Sequence, residues 1–293
     1  MPLAELVHYL NRQNRDSYGA GICPGDGLSI GPAGVLGHDG DLLLRSVFQP
    51  VSAARGGRVI GHEALLRAES DDGESLTAAD VFRRPASPEK LIYLDRLCRT
   101  LHALNYLQLT RAGGGTLFLN VEPRHVRAVT SGHGLVFEAI LKRCGLSPEN
   151  IFFELRAGEL TGDPATLADA LAAYRARGYR IAIDQAGPDL DRTLLATLRP
   201  ELVKFDVRTL ERWRGAGSAE NAAADAARAC REIGAEIAAT HVAAVRHLAP
   251  ARAFAADYLQ GHYLAPPSPD LGRGELPSLP LAEDDAALAP IRG

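Results

Sequence analysis

Lysine is nearly absent from this chain: of thirty-two basic residues only Lys90, Lys142 and Lys204 are lysines, so the position of each is worth knowing. Positive charge is not in excess either. Thirty-six acids give a formal net charge of −4, a balance that excludes DNA as the principal partner and leaves any nucleotide to be bound by local residues. Cysteine is sparse, and Cys23, Cys98, Cys144 and Cys230 stand singly, without the close spacing of a zinc site or the density of a disulfide-stapled secreted domain. They are expected to be reduced, partly buried thiols. No apolar run approaches the roughly 18 residues that a membrane span needs. The opening MPLAELVHYLNRQNR carries Glu5 and polar residues where a secretion signal has a basic start and an apolar centre. The expectation is a cytoplasmic protein with no membrane span.

What the chain does have is material for a core, with 46% hydrophobic and 23% charged residues among 293, a composition that excludes disorder as the main state. Short runs rich in Val, Ile, Leu and Phe predict strands at Val47–Val51, Arg58–His62, Thr116–Leu119, Asn150–Phe153, Arg180–Ile183, Glu201–Val203, Glu236–Ala239 and Asp257–Leu259. Helical patterns fall between them at Pro88–Thr110, Gly134–Cys144, Pro164–Arg177, Ala219–Ile233 and Ala243–Ala255, several closed by Gly145, Gly178 or Gly234. Alternation of this kind implies a parallel sheet covered by helices, and about eight strands close into a barrel. The first two strands are joined by Ser52–Arg58, too short for a crossover helix, so they are expected to pair antiparallel. The predicted fold class is therefore α/β, a modified TIM (β/α)8 barrel with an antiparallel first strand. Residues 41–267 would form this barrel. Residues 1–40, a short helix and a Gly-rich stretch, would be an N-terminal extension, and residues 268–293 a tail rich in Pro and acids.

Chemistry on a parallel barrel stands at the C-terminal ends of its strands. The residues that follow the apolar runs are Glu63, Asn120, Glu154, Asp184, Lys204 and Gln260. A carboxylate after a strand is most often a helix cap or a solvated loop residue, but six polar ends out of eight favour a shared site. Glu63, Glu154 and Asp184 with the Asn120 carbonyl form a hard oxygen set, suited to Mg²⁺, Mn²⁺ or Ca²⁺ and unsuited to zinc or copper. Without a cation, converging carboxylates repel and one tends to take up a proton. His62 should face away from Glu63 on its strand, His247 falls in a predicted helix, and only His241 lies near the mouth, where it reads as a loop-filling residue.

The spelling around these residues resembles the EAL-domain family of cyclic-di-GMP phosphodiesterases. It does so through Phe48-Gln49-Pro50-Val51, Gly61-His62-Glu63-Ala64-Leu65-Leu66-Arg67, Leu117-Phe118-Leu119-Asn120-Val121, Phe153-Glu154-Leu155, Ile183-Asp184, Val203-Lys204-Phe205-Asp206 and Tyr258-Leu259-Gln260-Gly261, in family order. The resemblance implies a dinucleotide laid across the barrel mouth and two metal ions that activate water. It implies metal ligands at Glu63, Asn120, Glu154 and Asp184. Positions lining the nucleotide groove would be Gln49, Leu65, Arg67 and Gln260, with Arg67 near a phosphate, and Lys204 would match the family's active-site lysine.

The departures fall together. Where the family has a second aspartate and a Phe-Gly-Thr-Gly loop, this chain reads Asp184-Gln185-Ala186-Gly187-Pro188-Asp189, and the family's Ala-Glu-Gly-Val-Glu appears as Ala239-Thr240-His241-Val242-Ala243. A further acidic position has become Ala157. Of the five carboxylates the family places at 63, 154, 184, 185 and 240, three remain, enough for one divalent ion but not two, and in-line hydrolysis relies on two. The first reading is a degenerate EAL protein that binds cyclic-di-GMP with one Mg²⁺, Mn²⁺ or Ca²⁺, cleaves little or none of it, and acts through an unidentified protein partner. The alternatives are an interaction scaffold that binds neither nucleotide nor metal, and a residual metal-dependent phosphodiesterase. A homodimer is left open as a further partner state.

Overall fold

The computed structural model describes residues 2–23, 27–110, 115–128, 135–160, 164–187, 189–209, 219–272 and 276–277. Eight strands close the barrel: β3 (Leu42–Ala53), β4 (Val59–Ser70), β6 (Thr116–Asn120), β7 (Ile151–Arg156), β8 (Arg180–Ala186), β9 (Leu202–Asp206), β10 (Glu236–Thr240) and β11 (Tyr258–Leu259). They follow that order around the circle, with β3 antiparallel to both β4 and β11 and every other barrel pair parallel. All eight sequence-predicted strands are present, and the antiparallel start is where the short Ser52–Arg58 link requires it.

The long β3–β4 hairpin runs past the barrel. Its outer half carries β1 (Leu28–Gly31) and β2 (Gly34–Asp39) on one edge and β5 (Ser75–Leu76) on the other. Helix α1 (Leu3–Tyr18) and the long α3 (Pro88–Leu109) cover this extension, so Leu6, Leu10, Leu28, Leu44, Leu66, Tyr93 and Leu97 share one apolar cluster. The Gly-rich part of residues 1–40 thus contains a hairpin that strand propensity did not reveal, because glycine hides it. A second short helix, α2 (Ala78–Arg83), starts on a capping box between Thr77 and Asp80. The remaining helices are α4 (Pro123–Ala128), α5 (Leu135–Cys144), α6 (Pro164–Arg175), α7 (Arg192–Leu198), α8 (Ala219–Glu232) and α9 (Leu248–Ala253).

The helix expected over Ala243–Ala255 is shorter. The chain first makes a 3-10 turn at Val245–His247 and then α9, which carries Pro250 in its first turn, where a missing N–H costs nothing. Cys23, Cys98 and Cys230 are buried and form no disulfide among the described residues, while the Cys144 side chain lies outside what is described. Most of the tail, residues 278–293, also lies outside the described residues. Leu276 N–H donates to the Gly57 carbonyl at 3.0 Å, so the chain just before that point passes over the hairpin turn.

Inside the barrel the pleat sorts side chains into layers, because residues two apart on a strand share a face. Val51, Phe118, Phe152, Ala182, Leu202 and Ala238 form an apolar floor, with the Phe118 and Phe152 rings stacked at 4.9 Å. The next inward residues toward the strand ends are Gln49, Asn120, Glu154, Asp184, Lys204, Thr240 and Gln260, all buried except the half-buried Asn120. Glu63 joins them from β4. It is mid-strand rather than at a strand end, because β4 continues to Ser70. Gly61, two residues earlier, allows β4 to approach β6: a Cβ there would stand 2.3 Å from the Thr116 carbonyl oxygen.

Candidate functional site

The polar layer forms the deep end of a cavity of about 760 Å³ that opens at the barrel mouth. Glu63, Leu65 and Arg67 reach it from one face of β4; Gln49, Asn120, Asp184 and Gln260 line it as well. Lys204, fully buried, stands beneath it and donates to Glu63 Oε2 at 2.6 Å and to Glu154 Oε1 at 2.7 Å. Glu63 also accepts from Asn120 Nδ2 at 3.1 Å and from Gln260 Nε2 at 2.8 Å. Gln260 reaches Gln49 Oε1 at 3.3 Å, and Gln49 Nε2 donates to the Ala265 carbonyl at 3.0 Å. Seven of the sequence-predicted residues, Gln49, Glu63, Asn120, Glu154, Asp184, Lys204 and Gln260, therefore meet in one layer. Leu65 and Arg67 line the same cavity from further along β4.

Charge in this layer is unevenly satisfied. Burial raises the Glu63 carboxyl, but the Lys204 ammonium and the hydrogen bonds from Lys204, Gln260 and Asn120 outweigh it and hold Glu63 below its ordinary range. Burial pushes Glu154 well up, with the Glu63 charge adding to the effect. Asp184 is also raised by burial, against the pull of Lys204. For Lys204, burial favours the neutral amine, and the three carboxylates reverse this and keep it protonated. Three carboxylates against one ammonium leave an excess of two negative charges when all are ionised.

Glu154 Oε2 and Gln260 Oε1 are buried acceptors that receive no hydrogen bond from any described residue, and orphaned buried acceptors call for a cation or a donor. The donors around them are oxygens of carboxylates and amides, the chemistry of a hard divalent ion. The residues thus fit one such ion by donor type and by charge. Among the described residues, no three His, Cys, Asp or Glu side chains close around a ready cation point; Glu63 and Glu154 are instead drawn together on the Lys204 ammonium.

The mouth ends of β8 and β10 are built differently. Gln185 is exposed with φ +55°, and His241 has φ +60°, the left-handed region that glycine adopts freely. Thr240 Oγ1 donates to the Phe205 carbonyl at 3.3 Å. His241 Nδ1 lies 3.3 Å from Thr240 Oγ1 and 3.5 Å from Asp206 Oδ2. Asp206 is already engaged by Arg208, whose Nη2 is at 2.6 Å. Asp191, which could have supplied a replacement carboxylate, caps α7 by accepting from Thr193 N–H at 2.7 Å. His62 faces the opposite side of β4, against the Tyr106 ring at 6.1 Å, and the His247 Nδ1 accepts from Ala243 N–H at 2.9 Å.

Two parts of the site escaped sequence reasoning. One is Arg156, on β7 two residues beyond Glu154, which lines the cavity. The other is a buried group behind the layer, where the Asp95 carboxylate pairs with Arg99 and with His125 Nδ1 at 2.8 Å. Asp95 also accepts from Glu122 N–H at 3.1 Å, while Val121 N–H donates to the Glu154 carbonyl at 2.9 Å. Together these fix the loop that follows Asn120. The signal was present as an Asp95–Arg99 pair at i, i+4 spacing among the leucines of α3.

The profile of the EAL domain family matches residues 41–267. The EAL-domain containing protein YkuI of Bacillus subtilis (strain 168) is 28% identical over 247 residues, which is 82% of this chain and 58% of YkuI; the chain spans little more than half the length of that relative. Among solved structures, YkuI in complex with c-di-GMP and calcium is similar at a TM-score of 0.65 and 24% identity, over 78% of this chain and 56% of that one. A manganese and cyclic-di-GMP complex of Klebsiella pneumoniae BlrP1 gives a TM-score of 0.67 at 19% identity, over 90% and 68%. A c-di-GMP-bound standalone EAL protein of Vibrio cholerae O395 gives 0.62 at 20% identity, over 80% and 95%. These structural likenesses bear on the fold and agree with the barrel described above. No helix of the described residues is long and apolar enough to cross a membrane. The profile match covers most of the chain, and the chain belongs to the EAL domain family.

Proposed function

We propose that this barrel binds cyclic-di-GMP across its mouth, with one divalent cation and with little or no hydrolysis, and that it passes the bound state to a protein partner. The observation that carries the reading is the unevenness of the cavity: a hydrogen-bonded oxygen layer whose Glu154 Oε2 has no partner among the described residues, and Gln185 and Thr240 in place of carboxylates on β8 and β10, with His241 beside Thr240. Glu63, Asn120, Glu154 and Asp184 would hold the cation, Mg²⁺, Mn²⁺ or Ca²⁺. When bound, it would supply positive charge to a phosphate oxygen and polarise a water. Relatives crystallised with c-di-GMP hold calcium in one case and manganese in another.

The chain's own residues account for the rest. Arg67 is exposed at the mouth, donates to its neighbour's carbonyl at 2.9 Å, and forms no ion pair among the described residues, so its planar fork is open to a phosphate. Gln49 and Gln260 brace Glu63 and thereby the oxygen layer. Lys204 keeps Glu63 ionised. Hydrolysis would need a second cation about 3.5–4 Å from the first, and the side where it would sit offers an amide, a hydroxyl and an imidazole.

Calorimetric titration of cyclic-di-GMP with Mg²⁺, with chromatography of the same mixture, tests this. Binding without a linear product is the expected result. Saturating ligand, at about 100 times its dissociation constant, should also add about 2.7 kcal/mol of stability. Cleavage that disappears in Glu63→Ala would replace the reading with a residual phosphodiesterase, and absence of both binding and stabilisation would leave an interaction scaffold.

A further inference from the structure

Arg156 occupies a position that the proposed dinucleotide site does not otherwise use. On β7, Glu154 and Arg156 are two residues apart and share the inward face, which puts the arginine about 7 Å along the strand from the carboxylate, toward the mouth. In the parallel ladder its partner on β8 is Asp184. Arg156 therefore stands at the rim above the oxygen layer, beside Gln185, and both line the cavity. Its present ion pair is to Glu159 three residues on, at 3.3 Å, with both side chains more than a third exposed. An exposed pair of that kind contributes little and is readily exchanged.

On β4 the same logic repeats, since Glu63 lies deep and Arg67 lies four residues further toward the rim on the same face. Each of these two strands thus carries a carboxylate in the oxygen layer and a guanidinium above it. A ligand with two phosphates presents two anionic groups; of the four arginines that line the cavity, Arg83 is paired with Asp80 and Arg124 is held by Glu122 and the Phe82 carbonyl, while Arg67 and Arg156 are the two that stand on barrel strands above the oxygen layer. A fork of N–H donors meets phosphate oxygens two at a time, without a metal as intermediary.

We propose that Arg156 is a phosphate-binding residue, which takes one phosphodiester of the cyclic dinucleotide directly while Arg67 takes the other, so that a side-chain cation stands next to β8, where Gln185 has replaced a carboxylate. The proposal rests on the reading that this cavity binds cyclic-di-GMP. Its test is calorimetry of cyclic-di-GMP with wild type, Arg156→Ala and Arg156→Lys, each with Mg²⁺ and each with EDTA. Wild type should bind in both conditions. Arg156→Ala should lose about tenfold in affinity in both, with an unchanged melting temperature, as expected for loss of charge-assisted hydrogen bonds at a partly exposed site. Arg156→Lys should fall between the two, because an ammonium keeps the charge and loses the fork. A wild type that binds and an Arg156→Ala that binds equally well overturn the phosphate role and leave the nucleotide reading standing. A wild type that binds in neither condition overturns the nucleotide reading and the subsite with it.

Discussion

Two sets of strands that alternate around part of the barrel mouth differ in how their residues are held. In the first set, on β4, β6, β7 and β9 and just after β11, side chains bond to one another: Lys204 joins Glu63 to Glu154, and Asn120 and Gln260 close on Glu63. In the second set, at the ends of β8 and β10 beyond Asp184, the residues bond mostly to backbone or to immediate neighbours, and two non-glycine residues sit at positive φ. Removing any member of the first group strands a buried partner, which is costly. Removing a member of the second strands little. The difference shows how one half of a metal site can be replaced while the other half stays fixed: the bonded half is also the barrel's internal stabiliser.

The sharpest way to break this comparison is to give the second set its acids back. Gln185→Asp with Thr240→Glu should raise cyclic-di-GMP hydrolysis by about two orders of magnitude or more, because a second cation then has charged ligands. Chromatography of the linear product under Mn²⁺ measures it, and a double variant no more active than wild type would show that the missing loop, not the missing charge, limits the chemistry. The next effect is on stability. Lys204→Met leaves Glu63 and Glu154 buried without their counter-charge, at a cost of about 3–5 kcal/mol, or a fall in melting temperature of about 10 °C for a domain of this size. Millimolar Mg²⁺ should restore more of that loss in the variant than it adds to wild type, since a cation can take the place of the ammonium. A variant that melts with wild type would refute the view that this lysine holds the layer together.

Much of this was legible in the sequence, for a physical reason: strand side chains alternate with a period of two, so a polar residue at the end of an apolar run is placed inward and at the mouth by the pleat itself. Asn120, Glu154, Asp184, Lys204 and Gln260 all followed from that. Glu63 was found for the right face but the wrong place on its strand, because a hairpin that leaves the barrel has no apolar boundary to mark its exit. Arg156 escaped notice since an arginine at a strand end reads as solvated surface until the cavity beside it is seen. Asp95, Arg99 and His125 lie on helices whose relation to the Asn120 loop exists only in three dimensions.

A smaller effect separates the layer from what lies behind it. Burial pushes both His62 and His102 down to about 4, against about 6.5 in an unfolded chain. Between those values the unfolded chain binds protons that the folded one refuses. The contribution of each is therefore fully present above pH 6.5 and lost as pH falls toward 4. The raised carboxyls Glu154 and Asp184 act with the opposite sign, so a variant must isolate the histidine. His62 has both ring nitrogens buried and without a hydrogen-bond partner among the described residues. His62→Leu should match or slightly exceed wild type at pH 7.5 and exceed it by about 2 kcal/mol at pH 4.5. Urea denaturation at the two values checks this, and a difference independent of pH would mean that His62 reaches solvent when protonated.

The smallest effect addresses what the second set has kept. A residue at φ +60° without a glycine's freedom costs about 1–2 kcal/mol, and His241 is in that state at the position where the family motif has its glycine. Its side chain returns only a 3.3 Å contact to Thr240 and a 3.5 Å approach to Asp206. His241→Gly should therefore relieve the backbone and lose little, while His241→Ala keeps the backbone cost and loses the same contacts. The glycine variant should exceed the alanine variant by about 1 kcal/mol in urea denaturation, after allowance for glycine's greater unfolded-state entropy. Equal stabilities would mean the loop adapts to its residue. A clear gap would mean that the loop holds its left-handed turn whatever side chain it carries, and that this set changed its chemistry while its backbone stayed in place. That in turn is the condition under which Thr240→Glu, one residue away, could point a carboxylate into the cavity.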